Sequence, residues 1–345
     1  MNREPRVSLL PTQTASAAVA IAGICAANCV VSIVSTCLYY SELHHLHEFP
    51  FFAAQLNAAI GALLSGCLLT VMPKDSRASS CHLTYWFRLA ALLSAQNSLE
   101  IVSIPRVGND DLPPILQQAV VPLSLMLSAT MLRKNYSTVQ LMGSAAVVAG
   151  VLIGFLPSLF TSDRLGQIRL VWVAVFLVSR LPQAAANVVA EGFLEGHRDF
   201  SWAVRATLYT QLLGIPCNFL AALTVSAAWK GDVAIVLEDY SGGLGCLFGG
   251  DSSCAGAWHS VLLFAFPGML YTLTEFQVLQ AASATAYFLL AALQLPLQDL
   301  ALSVLDDTMA AFRFSMLPAI GLVAAGLVLY GRGSNVSAGL ERNTV

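Results

Sequence analysis

The chain reads as an all-α membrane protein of ten transmembrane helices in two inverted five-helix repeats, with both termini in the cytosol. Three observations predict this. Residues are 57% hydrophobic and only 11% charged over 345 positions, and the mean hydropathy is +0.70. That leaves too little polar surface to coat a soluble globule of this size. Apolar stretches long enough to cross about 30 Å of hydrocarbon as helices recur along the whole length. Two segments of the second half repeat two of the first at nearly one offset: Pro122 aligns with Pro296 at 174 residues, and Gly150 with Gly326 at 176. Because each half holds five spans, an odd number, the second half enters from the opposite face.

The spans follow in order. Span one, 16–40, carries Asn28, Ser32 and Ser35 on one face, and span two covers 50–72. Span three, 84–104, places Gln96, Glu100 and Ser103 at helical spacing. Span four, 111–132, brings Gln117, Gln118, Val121, Ser124 and Ser128 together with Pro122. Span five, 137–157, is small and apolar throughout. Span six, 168–190, leads to Arg180, Gln183, Asn187 and Glu191 at spacings of three, four and four, one polar stripe on one face. Span seven, 203–228, repeats the pattern with Thr207, Gln211 and Asn218. Span eight, 258–280, contains Glu275, and span nine, 283–303, sets Gln294, Pro296, Gln298 and Asp299 within six positions. Span ten, 313–331, resembles span five. The units are therefore a tail at 1–15, a first repeat at 16–157, a second at 168–331 interrupted by a luminal loop at 229–257, and a tail at 332–345.

Charge supports the orientation. Counting alternate connectors, eleven of the seventeen Lys and Arg residues fall on the side of the amino terminus, among them Lys74, Arg133, Lys134 and Arg332. Five fall opposite, Arg106, Arg164, Arg169, Lys230 and Arg313, while Arg180 lies inside a span. The excess predicts cytosolic termini. A net charge of −3 without a continuous basic patch argues against a nucleic-acid partner. Residues 1–14 have no Arg- and Ser-rich transit character, and the first apolar run is too long for a cleaved signal.

Stripes of polar side chains on spans one, three, four, six and seven predict a polar cavity enclosed by spans one to four and six to nine, with five and ten at the periphery packing through Gly and Ala. A single stripe is ordinarily glue between helices; five together favour a cavity. Proline at matching depth in spans four and nine removes a helix hydrogen bond and kinks each span where solute would sit. Arg180 lies halfway through its span, where a charge costs on the order of 2.5 to 3.5 kcal/mol, so it needs an anionic partner, with Asp299, Glu100 and Glu275 available. It serves either a structural ion pair or a substrate carboxylate. The expected substrate-binding residues are Arg180, Gln183, Asn187, Gln118, Ser124, Gln294, Gln298, Glu100 and Asn28, and the carboxylates placed to exchange a proton are Asp299, Glu275 and Glu191. In the long connector after span seven, Cys246 and Cys254 stand eight apart in a Gly-rich stretch, which predicts a disulfide and an oxidising compartment on that side. "AIVLEDY" before them reads as a short surface helix. "SELHHLHEF" crowds His44, His45 and His47 too tightly for a tetrahedral cage, so no metal and no cofactor is expected; the stretch reads instead as a luminal loop that gains charge as pH falls.

The segment "CLFGGDSSCAGAW", followed by "LLFAF" and then by the span-nine "LQLP", resembles the chloroquine resistance transporter family of the drug/metabolite transporter superfamily. The resemblance continues through "LPQAAANVVAEGFLE" and "ILQQAVVPLSLMLSATMLRKNYSTVQLMGSAAVVAGV", and covers most of residues 16–331. It implies a central cavity and alternating access, with small-molecule substrates such as amino acids, small peptides, cationic drug-like solutes or thiols such as glutathione, and transport coupled to protons. Two departures stand out: the luminal loop holds two cysteines where malaria-type relatives have four, and no plastid extension precedes span one. A vacuolar or other endomembrane location is expected ahead of a plastid one, and the protein is expected to be a monomer. Enzyme chemistry finds no nucleophile with its base inside the spans. A nucleotide-sugar or other phosphorylated-metabolite exchanger would carry cations in the later spans, where only Arg205 and Arg313 occur near the ends. A channel would need a ring of identical filter residues.

Overall fold

The computed structural model describes residues 11–46, 48–72, 83–107, 112–161, 169–194, 199–230, 233–248, 254, 256–305 and 316–343. The tails at 1–10 and 344–345 and the connectors carrying Lys74, Arg77, Arg164, Arg198 and Arg313 lie outside the described residues, as do His47 and the side chains of His44, His45 and Asp299. The described residues form helices and no strand. In chain order these are α1 (Pro11–Leu46), α2 (Pro50–Val71), α3 (Leu83–Ser103) with a 3₁₀ turn at Ile104–Arg106, α4 (Leu112–Gln117), α5 (Val120–Met131) and α6 (Thr138–Thr161). They continue with α7 (Leu170–Leu194), α8 (Phe200–Lys230), α9 (Ala234–Leu247), α10 (Ala257–Ala281), α11 (Ala284–Leu305) and α12 (Met316–Asn343).

Five helical stretches among the described residues are long and apolar enough to cross a bilayer: Val19–Tyr39, Pro50–Val71, Leu170–Leu194, Phe200–Ala228 and Ala257–Ala281. Ile115–Met131, Thr138–Ile153, Ala284–Gln298 and Pro318–Gly333 are shorter apolar helices. Large apolar side chains such as Leu63, Met142, Val178, Leu262 and Phe266 are exposed along the helix flanks. In water these would be a liability; against acyl chains they are the expected outer surface.

Two helices depart from the sequence reading for stated reasons. Span four is broken into α4 and α5 at Gln118 and Ala119. Pro122 has no N–H to offer the Gln118 carbonyl, so Val121 N donates to it at 3.1 Å, while Gln118 N and Ala119 N reach back three residues to Ile115 and Leu116. The partner proline, Pro296, is carried inside a continuous α11. In the connector 229–257 the helix expected at "AIVLEDY" is present but longer, because α9 runs on through the glycines to Leu247. Here Gly242 and Gly243 serve close approach rather than turning. A Cβ on Gly243 would lie 2.3 Å from the ring of Phe52, and one on Gly242 2.4 Å from Phe49.

Helix packing pairs α1 with α10 and α11, α2 with α8, α3 with α7 and α8, α5 with α7 and α11, and α6 with α12. The seam between α6 and α12 is made by glycine. A Cβ on Gly143 would meet Tyr330 N at 2.6 Å and the Gly326 carbonyl at 2.7 Å, and one on Gly326 would meet the Gly143 carbonyl at 2.6 Å. The two backbones are in contact there, which only residues without a side chain permit. The main core runs from Trp86 and Leu89 of α3 through Ala184 and Val188 of α7 to Phe288 and Leu289 of α11. A smaller cluster joins Leu46 and Phe52 to Cys246, Cys254 and Val261 at the other end of the bundle.

Candidate functional site: a polar cavity among five helices

A cavity of about 430 Å³ lies between α1, α2, α3, α8 and α10. It extends from Tyr39, Pro50 and Phe264, where α1 finishes and α2 begins, to Gln96, Thr210 and Glu275. Small residues make the room: Ala53, Ala54, Ala58 and Gly61 give α2 a face of minimal width. Asn57, Asn97, Gln211, Asn218 and Tyr271 supply its hydrogen-bonding groups. Glu275 is the only charged side chain among the described residues that line it.

The opposite end is closed. Tyr85 stacks on Phe193 with ring centroids 4.3 Å apart, Trp86 on Tyr209 at 5.6 Å, and Trp202 meets Phe193 edge-on at 5.7 Å. Beside this aromatic plug, buried Glu191 pairs with Lys134, and its second oxygen accepts from Ala284 N at 3.0 Å, at the first residue of α11. One carboxylate thus ties three segments together and serves the amino-terminal end of a helix.

The structure places the expected residues in four settings. Glu275 lines the cavity and accepts from Asn187 Nδ2 at 3.1 Å. Arg180, fully buried, is paired with Glu100 at 2.8 Å, donates to Gln183 Oε1 at 2.9 Å and to Ser179 Oγ at 2.8 and 3.0 Å, and lies over the Phe176 ring. Its charge is answered inside the protein. Glu100 in turn accepts from Gln96, which lines the cavity, so the buried pair is one side chain away from the solute space.

Asn28, Gln294 and Gln298 form the third setting, a clamp across α1, α10 and α11. Asn28 donates to Thr274 Oγ1 at 2.9 Å and accepts from Gln294 Nε2 at 2.7 Å; Ser32 donates to Gln294 Oε1 and accepts from Gln298, both at 2.9 Å. The fourth is away from the cavity: Glu191 at the closed end, Gln118 buried at the α4–α5 break, and Ser124 turned onto its own helix at the Val121 carbonyl, 2.8 Å away. Asp299 lies on α11 with its side chain outside the described residues. Cys246 and Cys254 are joined as a disulfide with Cα atoms 5.1 Å apart, which fastens the end of α9 to the start of α10.

Asn57, Asn97 and Tyr271 were not singled out by the sequence reading. On α3, Glu100 turns to Arg180 of α7 and Ser103 back onto its own helix at the Leu99 carbonyl, whereas Gln96 lines the cavity together with Ser94, Asn97 and Ile101. On α2 the signal was the recurrence of Ala and Gly around one Asn, a narrow face of the kind a cavity wall requires.

Comparison with known proteins places this architecture. The CRT-like family model, described as chloroquine-resistance transporter-like, matches residues 22–330. "Crt homolog 2" of Dictyostelium discoideum is 27% identical over 87% of this chain and 68% of its own length. The "Chloroquine resistance transporter" of Toxoplasma gondii is 26% identical over 67% of this chain, which corresponds to 28% of that longer protein. "Crt homolog 3" of Dictyostelium discoideum is 27% identical, with 76% of this chain matching 59% of the relative. A solved structure titled "Crystal structure of protein" superposes with a TM-score of 0.58 at 12% identity, covering 88% of this chain and 96% of the other, which is a likeness of fold.

Proposed function

The chain belongs to the CRT-like family, and on that premise we propose that it is a secondary active transporter that moves small solutes across an endomembrane by alternating access, coupled to protons. The observation that carries this reading is a polar cavity with Glu275 as the one carboxylate of its described lining and packed aromatics beyond its Thr210 end; the end at Tyr39, Pro50 and Phe264 is then the mouth. A solute entering from the mouth meets amides, hydroxyls and one carboxylate. Such a lining recognises an amino group or other cation and hydrogen-bonds the remainder, as amino acids, short peptides and cationic drug-like solutes require. Glu275 would exchange solute for a proton, since a single carboxylate at the inner end of the cavity binds one or the other. Arg180, Gln183 and Glu100 support the floor through Gln96, and Asn28, Gln294 and Gln298 hold α1, α10 and α11 as one body.

The packing supports ten spans in two inverted halves. With α7 to α12, leaving out α9, counted against α1 to α6 (α4 and α5 as one span), the α1–α10 contact has its counterpart in α3–α7, and α1–α11 in α5–α7. The pairs α2–α8, α5–α11 and α6–α12 each join a span to its own counterpart. A pseudo-two-fold arrangement of that kind has two equivalent ways to close, which is what alternating access uses. The plug then stands on the cytosolic side and the mouth on the luminal side. A phosphorylated metabolite finds no cation on the described lining, and a through-channel is opposed by the plug.

Uptake into proteoliposomes of arginine, a dibasic peptide and glutathione, with and without a pH gradient, tests the reading. At least one is accumulated, and E275Q lowers that uptake about tenfold or more while removing its dependence on the gradient. Gradient-driven accumulation that survives E275Q overturns the role of Glu275.

A further inference from the structure

We propose that Asp239 positions the mouth of the cavity, its side-chain oxygen capping α2 from the neighbouring helix α9, and that the pH on that side of the membrane sets how firmly α9 holds the mouth in place. This rests on reading the cavity as the solute path. Helix α2 begins with Phe49 at its N-cap and Pro50 next, and Phe49 has no side-chain acceptor for the free N–H groups of the first turn. Asp239 Oδ1 supplies one from 187 residues away, accepting from Phe52 N at 2.8 Å. The acceptor is held there by its own helix. Gly242 and Gly243 bring α9 against Phe49 and Phe52, Tyr240 meets Phe52 edge-on at 6.3 Å, and the Cys246–Cys254 bridge fixes the far end.

Asp239 also walls a recess of about 380 Å³ beside the cavity, and Pro50 and Ile101 line both spaces. The first turn of α2 is therefore a shared partition, and moving it reshapes the entrance. The groups facing Asp239 are Glu48 ahead of α2, Arg106 after α3, and Tyr240 on α9, with Glu238 exposed before it. Arg106 is occupied over the Trp172 ring and at the Val102 carbonyl. Burial pushes the Asp239 carboxyl up to about 6 against the opposing pull of the Phe52 and Phe51 N–H groups, and Tyr240, pushed to about 12, stays neutral in that range. A carboxyl raised in the docked state favours docking when protonated. The hold of α9 on α2 is thus strongest below about pH 4 and is lost as pH rises through about 6.

Hydrogen exchange of the whole protein in nanodiscs, corrected for intrinsic rates, reads this without any substrate, so its outcome is separable from that of the transport assay. In the parent, protection of peptides covering 49–56 falls about threefold to tenfold between pH 5 and pH 7.5. D239N keeps an acceptor oxygen without a titrating group, and retains protection at both values. D239A loses protection at both. Equal protection of the parent at the two pH values, or pH-dependent protection persisting in D239N, overturns the proposal.

Discussion

Arg180 shows how one residue fixes its surroundings. A guanidinium with no solvent exposure needs a full set of acceptors, and Glu100, Gln183 and Ser179 provide them. Removing one member of such a pair strands the other. Arg180→Ala is expected to cost about 3 to 5 kcal/mol of stability, read as a lower thermal midpoint in detergent, whereas Arg180→Met with Glu100→Met recovers part of the loss. Additive losses in that double variant would show the pair to be uncoupled. The need for an acid partner was legible in the sequence, because Arg180 sits mid-span. Its identity was not, since Glu100, Glu275 and Asp299 satisfy the same requirement until helix packing selects among them. The same limit explains Asn28, Gln294 and Gln298: their polarity announced an inward face, but side-chain type alone does not distinguish a bond to solute from a bond to the next helix.

At the scale of elements, the informative residues were the smallest. Gly150 and Gly326 drew notice as a repeat, and the α6–α12 seam gives the physical reason for glycine on both helices, because backbones in contact leave no room for a side chain. Gly326→Ala is expected to separate the helices and destabilise by about 1 to 3 kcal/mol, visible in the thermal midpoint; Gly331→Ala, with open space around its position, is the matched control and should be neutral. Helix α9 carries the opposite lesson. Glycines in a polar connector suggest turns, yet here they let a helix lie on Phe49 and Phe52, and periodicity over so few residues does not separate the two. The disulfide was legible because two cysteines eight apart beside a span have few other uses. Closing so short a loop contributes roughly 2 to 3 kcal/mol in the chain-entropy picture. Cys246→Ser should therefore loosen α9 and expose a Cys254 thiol that impermeant reagents label from the luminal side; labelling from the cytosol would reverse the proposed orientation.

For the molecule as a whole, the asymmetry between its ends is the main structural fact. Aromatic stacking and the Lys134–Glu191 pair pack one end, while the cavity reaches toward the other at Pro50, the proposed mouth. If the plug is a gate, Glu191→Gln weakens its attachment to Lys134, and a cysteine placed at Ser283, next to Ala284, becomes more reactive from the cytosolic side in membrane vesicles; unchanged reactivity would assign that end a fixed structural role. The all-helical membrane character was legible in hydropathy, whereas the aromatic packing at one end was not, because its rings come from distant parts of the sequence and are ordinary one by one. The Glu100–Arg180 pair also has a bearing on how the molecule comes into being. A ribosome delivers Glu100 to the membrane about 80 residues before Arg180 emerges, so for that interval a carboxylate waits in an apolar setting with no cation to meet it. The amino-terminal half made alone keeps that mismatch permanently. On that ground the fragment is expected to be cleared faster than the whole chain, and Glu100→Gln in the fragment to slow its loss in a pulse-chase.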